Sequence, residues 1–512
     1  MLQVRSRSLT LLFVQVLLLL LYKNDVNVVN AKRILTTTSS LVTATDEHEP
    51  TSIVTVKGEV VTTKTTKEGD RLTDSRPVAS NSGRRSHHVR LRGVTHQEGS
   101  NSDGDKKNPS SSTQRKLKKS KSSKKNNDGS DDPYTYDYEA SNLLPEPLYD
   151  PNAVTVCDGT LTGPLTIDTD LLVNVGIKCI VSNDVTINGN VILQDHSAFF
   201  GINSVTINGN IYAVGIQSGK ASQAYYTGDT IALGLNVVVN NIIIKDSTIQ
   251  KMLVTQGVTI VGDVVIDNTI SDFSGVTFGN PTTIGGSLIV INGSQLTVGL
   301  GIAGTTIGTS GNGSVIIDNV SVVSKSGIGI AQIQIPNGNL QITNSVLEVI
   351  DFGANDDKNS FIGGDFIIRN NHFVGLFANG ARGSFISRPG TILQIDGNWY
   401  IEDNVMEEIF DLSIDTTVNG KETKIKKNTF LSDVIVSNVK VNDLEEGKYL
   451  KIEQNDIEGS LTVTNNEIPY GKLVVKDNTY ANNNGGTGSA VGGLTISNNV
   501  ADKIDTKDNI FC

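Results

Sequence analysis

The sequence predicts an all-β fold, a single-stranded parallel β-helix (a solenoid) preceded by a disordered N-terminal region. A short strand pattern that ends in Asn recurs through the second half of the chain. The 512 residues include 50 Gly, many Val, Ile, Thr and Asn, and only 5% aromatic residues. Short β-branched strands separated by Gly and Asn turns have this composition.

The first 31 residues read as a secretory signal peptide. Arg5 and Arg7 form a basic start, and Leu9 to Tyr22 is nearly continuous apolar sequence, short for a membrane-spanning helix. Ala31, with Val29 two residues before it, is a candidate cleavage site. A retained signal anchor is the alternative, because the stretch after the apolar core is long for a cleavage region. We expect cleavage, and therefore a secreted, extracellular or cell-wall-associated protein.

Residues 32–150 are predicted to be a disordered, basic, Ser/Lys-rich arm and linker. Their polar composition cannot bury enough apolar surface to offset the entropy of ordering. Residues 71–125 hold 15 basic and 4 acidic residues, whereas residues 151–512 hold 20 basic and 36 acidic residues. The sequence therefore joins a basic arm to an acidic domain.

Three roles stay open for the arm. It is a solvated linker, a segment that binds polyanions, or a pro-region removed at the dibasic pairs Arg84-Arg85 and Lys124-Lys125. The Lys/Ser run at 115–125 resembles stretches of silica-associated cell-wall proteins, which would imply a mineral surface as partner.

Residues 151–512 are predicted to form the β-helix domain. The recurring pattern is apolar, any, Ile or Val, any, any, Asn, any, apolar, as in Phe366 to Phe373 and Trp399 to Met406. Looser versions end at Asn428, Asn455, Asn466, Asn478 and Asn499. Such repeats bury their apolar residues only by stacking on their neighbours. With about 22–26 residues per coil, the domain would contain roughly 14–16 coils and be roughly 70 Å long.

A leucine-rich repeat is the alternative solenoid, since Leu461 to Ile468 fits its pattern. That architecture has one such strand per coil. Here the motif recurs in places after 10 to 12 residues, as from Asn428 to Asn438, which indicates two or three strands per coil. Asn also tolerates the left-handed conformation of tight turns, and stacked Asn side chains can hydrogen-bond along a ladder. We therefore favour the β-helix.

In this repeat style, residues 154–512 resemble the right-handed parallel β-helix proteins of the pectin-lyase-like superfamily. The resemblance implies a right-handed parallel β-helix much more than an activity. The superfamily includes pectate lyases, polygalacturonases, epimerases, adhesins and surface proteins without catalysis.

The resemblance raises two sets of catalytic candidates. Polygalacturonase-like enzymes use paired carboxylates on the glycosidic bond, and Asp356 and Asp357 supply a pair, although no Gly-His-Gly accompanies them. Lyase-like enzymes use an Arg base beside calcium, and Arg382 and Arg388 would contact a uronate carboxylate. Solvated loop residues are the simpler interpretation of both sets. We expect no metal and no cofactor, with calcium required only in the lyase-like case.

Cys157 and Cys179 are predicted to form a disulfide. In secreted proteins, paired cysteines usually form disulfides. The two residues are 22 positions apart, about one coil, which would place them on adjacent coils. Two reduced, buried thiols are the alternative. Cys512 is left over, either free or paired with another chain.

Three N-glycosylation sequons occur in the domain. They begin at Asn292, Asn312 and Asn319. We expect Asn319, at the end of a strand, to be the least accessible of the three.

We expect a structural or polysaccharide-binding protein of the cell surface, cell wall or extracellular matrix. The alternative is a carbohydrate-active enzyme, a polysaccharide lyase, hydrolase or epimerase that acts on an acidic polysaccharide. Carboxylates with Arg or Lys on one face across three coils would favour the enzyme, and an unbroken surface of Asn, Thr and Ser would favour the structural role. The expected partner is polysaccharide or other polyanionic wall or matrix material. The signal and the acidic domain disfavour nucleic acid, and no membrane partner is expected after signal cleavage.

Overall fold

The computed structural model describes residues 150, 152–217, 229–254, 257–271, 275–322, 327–353, 359–375, 383–387, 391–442, 447–481 and 493–511. The predicted signal peptide and all but the last residue of the predicted arm lie outside this part of the chain. Within the described ranges there is no helix, and hence none long and apolar enough to cross a membrane.

The described residues form a parallel β-helix, as predicted. The chain visits four walls in turn, here named sheets 1 to 4, and each strand pairs in parallel with the equivalent strand of the next coil. Full coils thus have four short strands rather than the two or three predicted, which excludes a leucine-rich repeat. Sheet 4 has 14 strands, in agreement with the predicted number of coils.

Sheets 1 and 2 merge in the last coils, where Glu467–Lys476 crosses from one to the other. The other sheet 1 strands are Leu165–Ile167, Val185–Ile187, Val205–Ile207, Val237–Val239, Val258–Ile260, Thr282–Ile284, Thr305–Ile307, Gln334–Ile335, Ser360–Ile362, Ile392–Ile395, Asp415–Val418 and Val439–Val441. The other sheet 2 strands are Val154–Cys157, Asp170–Val173, Val191–Leu193, Ile211–Val214, Ile242–Lys245, Val264–Asp267, Leu288–Ile291, Val315–Asp318, Leu340–Thr343, Phe366–Arg369, Trp399–Glu402, Glu422–Lys426, Tyr449–Glu453 and Val500–Asp505.

Sheet 3 begins only at Thr248, so the first coils lack this wall. Its strands are Thr248–Ile249, Ile270–Ser271, Gln295–Leu296, Ser321–Val322, Val346–Leu347, His372–Phe373, Val405–Met406, Thr429–Phe430, Asp456–Ile457, Thr479–Tyr480 and Ile510–Phe511. The sheet 4 strands are Thr160–Thr162, Lys178–Ser182, Ala198–Ile202, Ile231–Leu233, Met252–Val254, Val276–Phe278, Leu300–Ala303, Ile328–Ala331, Ile350–Phe352, Phe385–Ser387, Phe410–Leu412, Val434–Ser437, Leu461–Thr464 and Leu494–Ser497.

The core is one continuous apolar column inside the four walls. Alternation along the strands sends every second residue inward, as in Val185–Ile187, where both ends are buried and the middle Thr is accessible. Phe366 and Trp399 stack at 5.5 Å between ring centroids on successive coils. Each fully buried aliphatic side chain contributes about 1.5–3 kcal/mol, so the stacked core is a large source of the stability of the coils.

The Asn of the repeat motif forms a buried ladder at the turn from sheet 2 to sheet 3. Asn428 donates its side-chain amide to the carbonyl of Ile401 at 2.8 Å and to Oδ1 of Asn455 at 3.0 Å, and it accepts from the backbone N–H of Asn404 at 3.0 Å. The ladder side chains are buried at Asn371, Asn404, Asn428, Asn455 and Asn478.

The left-handed residue of this turn is the one before the ladder Asn. It has φ values of 54° to 57° at Asn370, Asp403, Lys427, Gln454 and Asp477. The left-handed conformation and the ladder hydrogen bonds were both expected at the motif Asn. In the structure they belong to two successive residues. Asn438, one of the predicted motif Asn residues, is likewise a left-handed turn residue, with φ 59°. It lies at the turn from sheet 4 to sheet 1, where the backbone N–H of Val439 donates to the side chain of Asn466.

Glycine occupies the corner between sheets 1 and 2. A Cβ atom on Gly397 would overlap Gly364, and one on Gly420 would overlap the carbonyl oxygen of Gly397. The next residue is Asn, Asp or Ser in most coils, and its side chain accepts a backbone N–H of the following coil, as Asp365 does from Asn398 at 2.7 Å. The corner is therefore tight because only Gly lets successive coils approach this closely.

Cys157 and Cys179 form the predicted disulfide, with Cα atoms 5.9 Å apart. Both residues are fully buried at the N-terminal end of the core. The bond ties Val154–Cys157 to Lys178–Ser182, and so fixes the end of the stack where sheet 3 is absent.

Candidate functional site

The middle residues of the sheet 1 strands form one outward column, here called the sheet-1 column. Pairwise register places its members directly above one another from coil to coil. The members are Thr166, Thr186, Thr206, Val238, Thr259, Thr283, Thr306, Gln334, Phe361, Gln394, Thr417, Lys440 and Glu467. Since successive strands are about 4.8 Å apart, the column is about 58 Å long.

The threonine hydroxyl groups of this column are not used by the fold. All column members are at least partly accessible. Among the described residues, no hydrogen bond involves the hydroxyl groups of Thr166, Thr186, Thr206, Thr259, Thr283 or Thr306, whereas buried Thr269, in the turn to sheet 3, donates its hydroxyl to the carbonyl of Asp267 at 2.9 Å. The column therefore presents six hydroxyl groups that can donate to and accept from a ligand.

Phe361 is the one aromatic member of the column. It pairs with Gln334 on one side and Gln394 on the other, and its ring is partly accessible. An aromatic face flanked by two amides suits a sugar ring, which stacks through its C–H face and hydrogen-bonds at its edge. Most other large aromatics in the described coils are buried in the core, among them Phe366, Trp399 and Phe410.

A second row of amides runs beside the first threonines. Asn188 donates to the Asp168 carboxylate at 2.7 Å, Asn208 donates to the side chain of Asn188 at 2.8 Å, and the side-chain amide of Asn240 donates to the backbone carbonyl of Asn208. These amides hold one another, so the surface around the column is rigid. From Thr166 to Gln394 the column carries no charge, although the domain as a whole is acidic.

The column ends in a charged groove of about 250 Å³. Thr417, Lys440 and Glu467 of the column line it together with Asp415. The Lys440 ammonium lies 3.3 Å from the Glu467 carboxylate, and the two side chains are 48% and 55% exposed. The turn residues Asn438 and Asn465, with φ 59° and 57°, line the side of the groove.

Sheet 2 has a different outer surface. Its outward residues Val265, Ile289 and Ile316 are 2–5% exposed and form a small apolar cluster outside the core. In later coils an outward column alternates in charge, in the order Arg369, Glu402, Lys426, Glu453 and Lys476. These side chains pair with one another, as Arg369 does with Glu402 at 2.6 Å and Lys426 with Glu453 at 3.4 Å.

Sheet 2 thus meets the criterion set for an enzyme, basic and acidic groups on one face over three coils. Yet each of these charges has an opposite charge on the next coil, which is the arrangement of cross-strand ion pairs that stabilise a sheet. The first seven members of the sheet-1 column approach the criterion set for the structural role, a surface of Asn, Thr and Ser, but Val238 interrupts the six threonines.

Sheet 4 carries two carboxylates on one column, Asp351, which is only 4% exposed, and the partly accessible Asp411. Asp351 and Asp411 both align with Ile386 of the intervening coil, so their Cα atoms are about 9.6 Å apart. Nearby Glu348 is 4% exposed, and its Oε2 has no hydrogen-bond partner. Burial raises the pKa of Glu348 above its usual value.

The four catalytic candidates named from the sequence lie outside the described residues. Asp356 and Asp357 follow the strand Ile350–Phe352 in sequence, and Arg382 and Arg388 flank Phe385–Ser387. Within the described residues, no group of three or more His, Cys, Asp or Glu is placed to hold a metal ion.

The three sequon asparagines are all exposed. Asn319 is exposed at a left-handed turn position with φ 54°, and its rank below Asn292 and Asn312 in accessibility stays a prediction. Asn292 is the most constrained, since its side-chain amide donates to Asp267 at 2.7 Å. Whether any of them carries a glycan stays a prediction.

The sheet-1 column was missed in the sequence. The signal for it was the repeated Val-Thr-Ile at 185–187, 205–207 and 258–260 and Thr-Thr-Ile at 282–284 and 305–307, in which two buried residues flank one outward threonine.

Comparison with protein-family models, with curated proteins and with solved structures found no match for this chain.

Proposed function

We propose that this protein is a secreted, non-catalytic rod of the cell surface, cell wall or extracellular matrix that binds polysaccharide along the sheet-1 column. The observation that carries the proposal is the row of six threonine hydroxyl groups that the fold leaves free. They repeat at the strand spacing of about 4.8 Å on a rigid surface, so a linear polymer lying on the column meets the same donors and acceptors coil after coil.

The chemistry of the column favours an uncharged region of polysaccharide. Threonine hydroxyls and the amides of Gln334 and Gln394 match sugar hydroxyls, and Phe361 offers a stacking surface. Sugar hydroxyls form neutral hydrogen bonds of modest individual strength, so binding depends on many aligned contacts. The expected partner is therefore narrowed from polysaccharide or polyanionic material to uncharged polysaccharide, because the charge-free part of the column has no cationic group to pair with a polyanion.

Membership of the pectin-lyase-like superfamily is part of this proposal. It is supported by the parallel coils and by the buried Asn ladder at one turn. Extracellular location is supported by the apolar N-terminal stretch of the sequence and by the disulfide of Cys157 and Cys179.

Removing hydroxyl groups without changing shape tests the proposal. We would replace Thr206, Thr259 and Thr283 together by Val in the full chain and measure co-sedimentation with insoluble polysaccharides such as cellulose, chitin and β-1,3-glucan. The matched control replaces Thr429, Thr462 and Thr479 by Val, three outward threonines on sheets 3 and 4. We expect at least a tenfold weaker binding by the first variant only, from the loss of about three hydrogen bonds. Failure of the unmodified chain to bind any polymer, or equal weakening by both variants, would contradict it.

A hydrolase is the second candidate, and the carboxylate pair on sheet 4 favours it. The Cα atoms of Asp351 and Asp411 lie two coils, about 9.6 Å, apart, a spacing that allows their carboxyl groups the separation of about 6.5–9.5 Å found in inverting glycosidases. Glu348 is a carboxyl that burial keeps protonated to higher pH. Release of reducing ends from a polysaccharide by the full chain, abolished by Asp351→Asn or Asp411→Asn, would establish this candidate. Binding without turnover would leave the rod as the function.

A further inference from the structure

The groove at the end of the sheet-1 column differs in chemistry from the rest of the column. Every earlier member is uncharged, and the change to Lys440 and Glu467 coincides with a concave space lined by hydroxyl, amide and charged side chains. We propose that this groove takes an amine-bearing sugar residue of the bound polysaccharide, with the Asp415 carboxylate as partner of its ammonium group. This inference rests on the proposed function.

The charge of the groove selects a cation. Lys440 and Glu467 pair with each other at 3.3 Å and leave no net charge between them. Asp415 is exposed, and among the described residues it has neither an ion pair nor a hydrogen bond to its carboxylate. The groove therefore carries one unbalanced negative charge. The carboxylate of a uronate would face the carboxylates of Asp415 and Glu467 with only the Lys440 ammonium to balance them. The ammonium group of an amino sugar would instead pair with the carboxylate of Asp415.

The pair of Lys440 and Glu467 can rearrange for a ligand. Both side chains are about half exposed, and an exposed ion pair of this kind contributes no more than about 1 kcal/mol. The fold also does not depend on the pair, because the neighbouring Val439 is held by the buried amide of Asn466 at 3.0 Å. The pair can therefore move aside for a sugar ring while Lys440 still neutralises Glu467, which leaves Asp415 as the partner of the ammonium.

The size of the groove limits what it holds. Its volume of about 250 Å³ is below the 300–1,000 Å³ of ligand pockets, which leaves space for one sugar residue. Thr417, Asn438 and Asn465 line the groove and supply groups for ring hydroxyls. The groove is continuous with the uncharged column through Thr417 and Gln394, so a polymer on the column reaches it without bending away from the sheet.

Two oligosaccharides of the same length separate this inference from the proposed function. One is made of glucosamine, and the other is its N-acetylated form, which has no amine. Binding of each to the full chain would be measured by titration calorimetry at pH 6 and low salt, for the unmodified protein, for Asp415→Asn and for the control Asp456→Asn. Asp456 is an exposed aspartate on sheet 3, so the control removes one charge far from the groove.

We expect the unmodified protein to bind the glucosamine oligomer about tenfold more tightly than the N-acetylated oligomer, as for a charge-assisted hydrogen bond. Asp415→Asn should remove that difference and leave the affinity for the N-acetylated oligomer unchanged, and Asp456→Asn should change neither. Equal affinities for both oligomers in the unmodified protein, or a difference that survives Asp415→Asn, would overturn the inference and leave the proposed function standing. If neither oligomer bound, this inference would fall, and the co-sedimentation assay with the other polysaccharides would decide the proposed function.

Discussion

At the scale of the residue, the buried asparagines determine the path of the chain. An amide side chain has a donor and an acceptor, so Asn can bond to the coil above and the coil below at the same time. Ser and Thr occupy the same position in earlier coils, where Ser345 Oγ accepts from the N–H of Val320 at 3.1 Å. The Ser345 hydroxyl also donates to the carbonyl of Thr343 at 2.6 Å, so it too satisfies two backbone groups. What an amide adds is a side-chain bond to the Asn of the next coil, as from Asn428 to Asn455 at 3.0 Å.

Replacing one ladder asparagine by alanine should therefore destabilise the stack. Asn428→Ala leaves the carbonyl of Ile401 and the N–H of Asn404 without partners in a buried turn. We expect a loss of about 3 kcal/mol in the free energy of unfolding, since each buried unsatisfied group costs about 1–3 kcal/mol. The measurement is the midpoint of urea unfolding, with Asn442→Ala as control, because Asn442 is exposed. Equal midpoints for the two variants would show that the ladder does not stabilise the fold.

The Asn ladder could be predicted from the sequence because it depends on a short pattern of neighbouring residues. Motif Asn residues recur with β-branched neighbours, and an Asn at a turn indicates both a left-handed φ and a side-chain bond. The division of these roles between Lys427 and Asn428 was not predicted, since lysine is a rare choice for a left-handed position. It is accepted there because the turn is repeated above and below by Asp403 and Gln454, each with φ near 57°.

At the scale of the element, the corner between sheets 1 and 2 depends on glycine. Gly420→Ala should cost about 2 kcal/mol or more, because the new methyl group would overlap the backbone of Gly397 and must push two coils apart. Gly311→Ala is the control, since nothing lies within 4 Å of a Cβ atom there. Thermal unfolding of both variants tests this, and a Gly420→Ala protein as stable as Gly311→Ala would contradict the tight corner.

The ion pairs of sheet 2 give the stability a dependence on acid. Burial opposes ionisation of Glu422, but the hydrogen bond from Lys451 at 2.9 Å and the charges of Lys424 and Lys451 outweigh it, so the pKa of Glu422 lies below its usual 4.5. A lowered pKa in the folded state means that the ionised group stabilises the fold above pH 4.5 and that this contribution is lost as pH falls through the folded-state pKa.

Glu422→Gln should consequently lower stability at pH 7 by less than about 1 kcal/mol, and this difference should disappear as the pH falls through the folded-state pKa of Glu422. The measurement is the urea midpoint of both proteins from pH 2 to pH 7. Parallel curves over the whole range would contradict the assignment of this acid dependence to Glu422.

The disulfide acts on the first coils, which have three walls rather than four. Its loss should lower the free energy of unfolding of that end by about 3 kcal/mol, the value for a closed loop of this length. Hydrogen exchange of Cys157→Ser should show faster exchange at Val185–Ile187 than at Val463, which lies many coils away. Uniform exchange along the stack would mean that the coils open only together, in contrast to the nearest-neighbour coupling of solenoids.

At the scale of the whole molecule, register decides what the surface displays. Successive members of the sheet-1 column are separated by 20 to 33 residues, because loops of different length interrupt the coils. A shift of one residue turns an outward Thr inward, so the column could not be assembled from the sequence even though its Val-Thr-Ile strands were visible. Fold class and coil number follow from composition and local repeats, whereas a surface that spans many coils does not.

Side-chain footprinting of the full chain with bound polysaccharide tests the central claim most directly. Phe361 on sheet 1 and Phe200 on sheet 4 are both partly accessible, so hydroxyl radicals oxidise both in the free protein. If polysaccharide lies on the sheet-1 column, its presence lowers oxidation of Phe361 and leaves Phe200 unchanged. Protection of Phe200 with Phe361 still oxidised would place the polymer on sheet 4 and contradict the account.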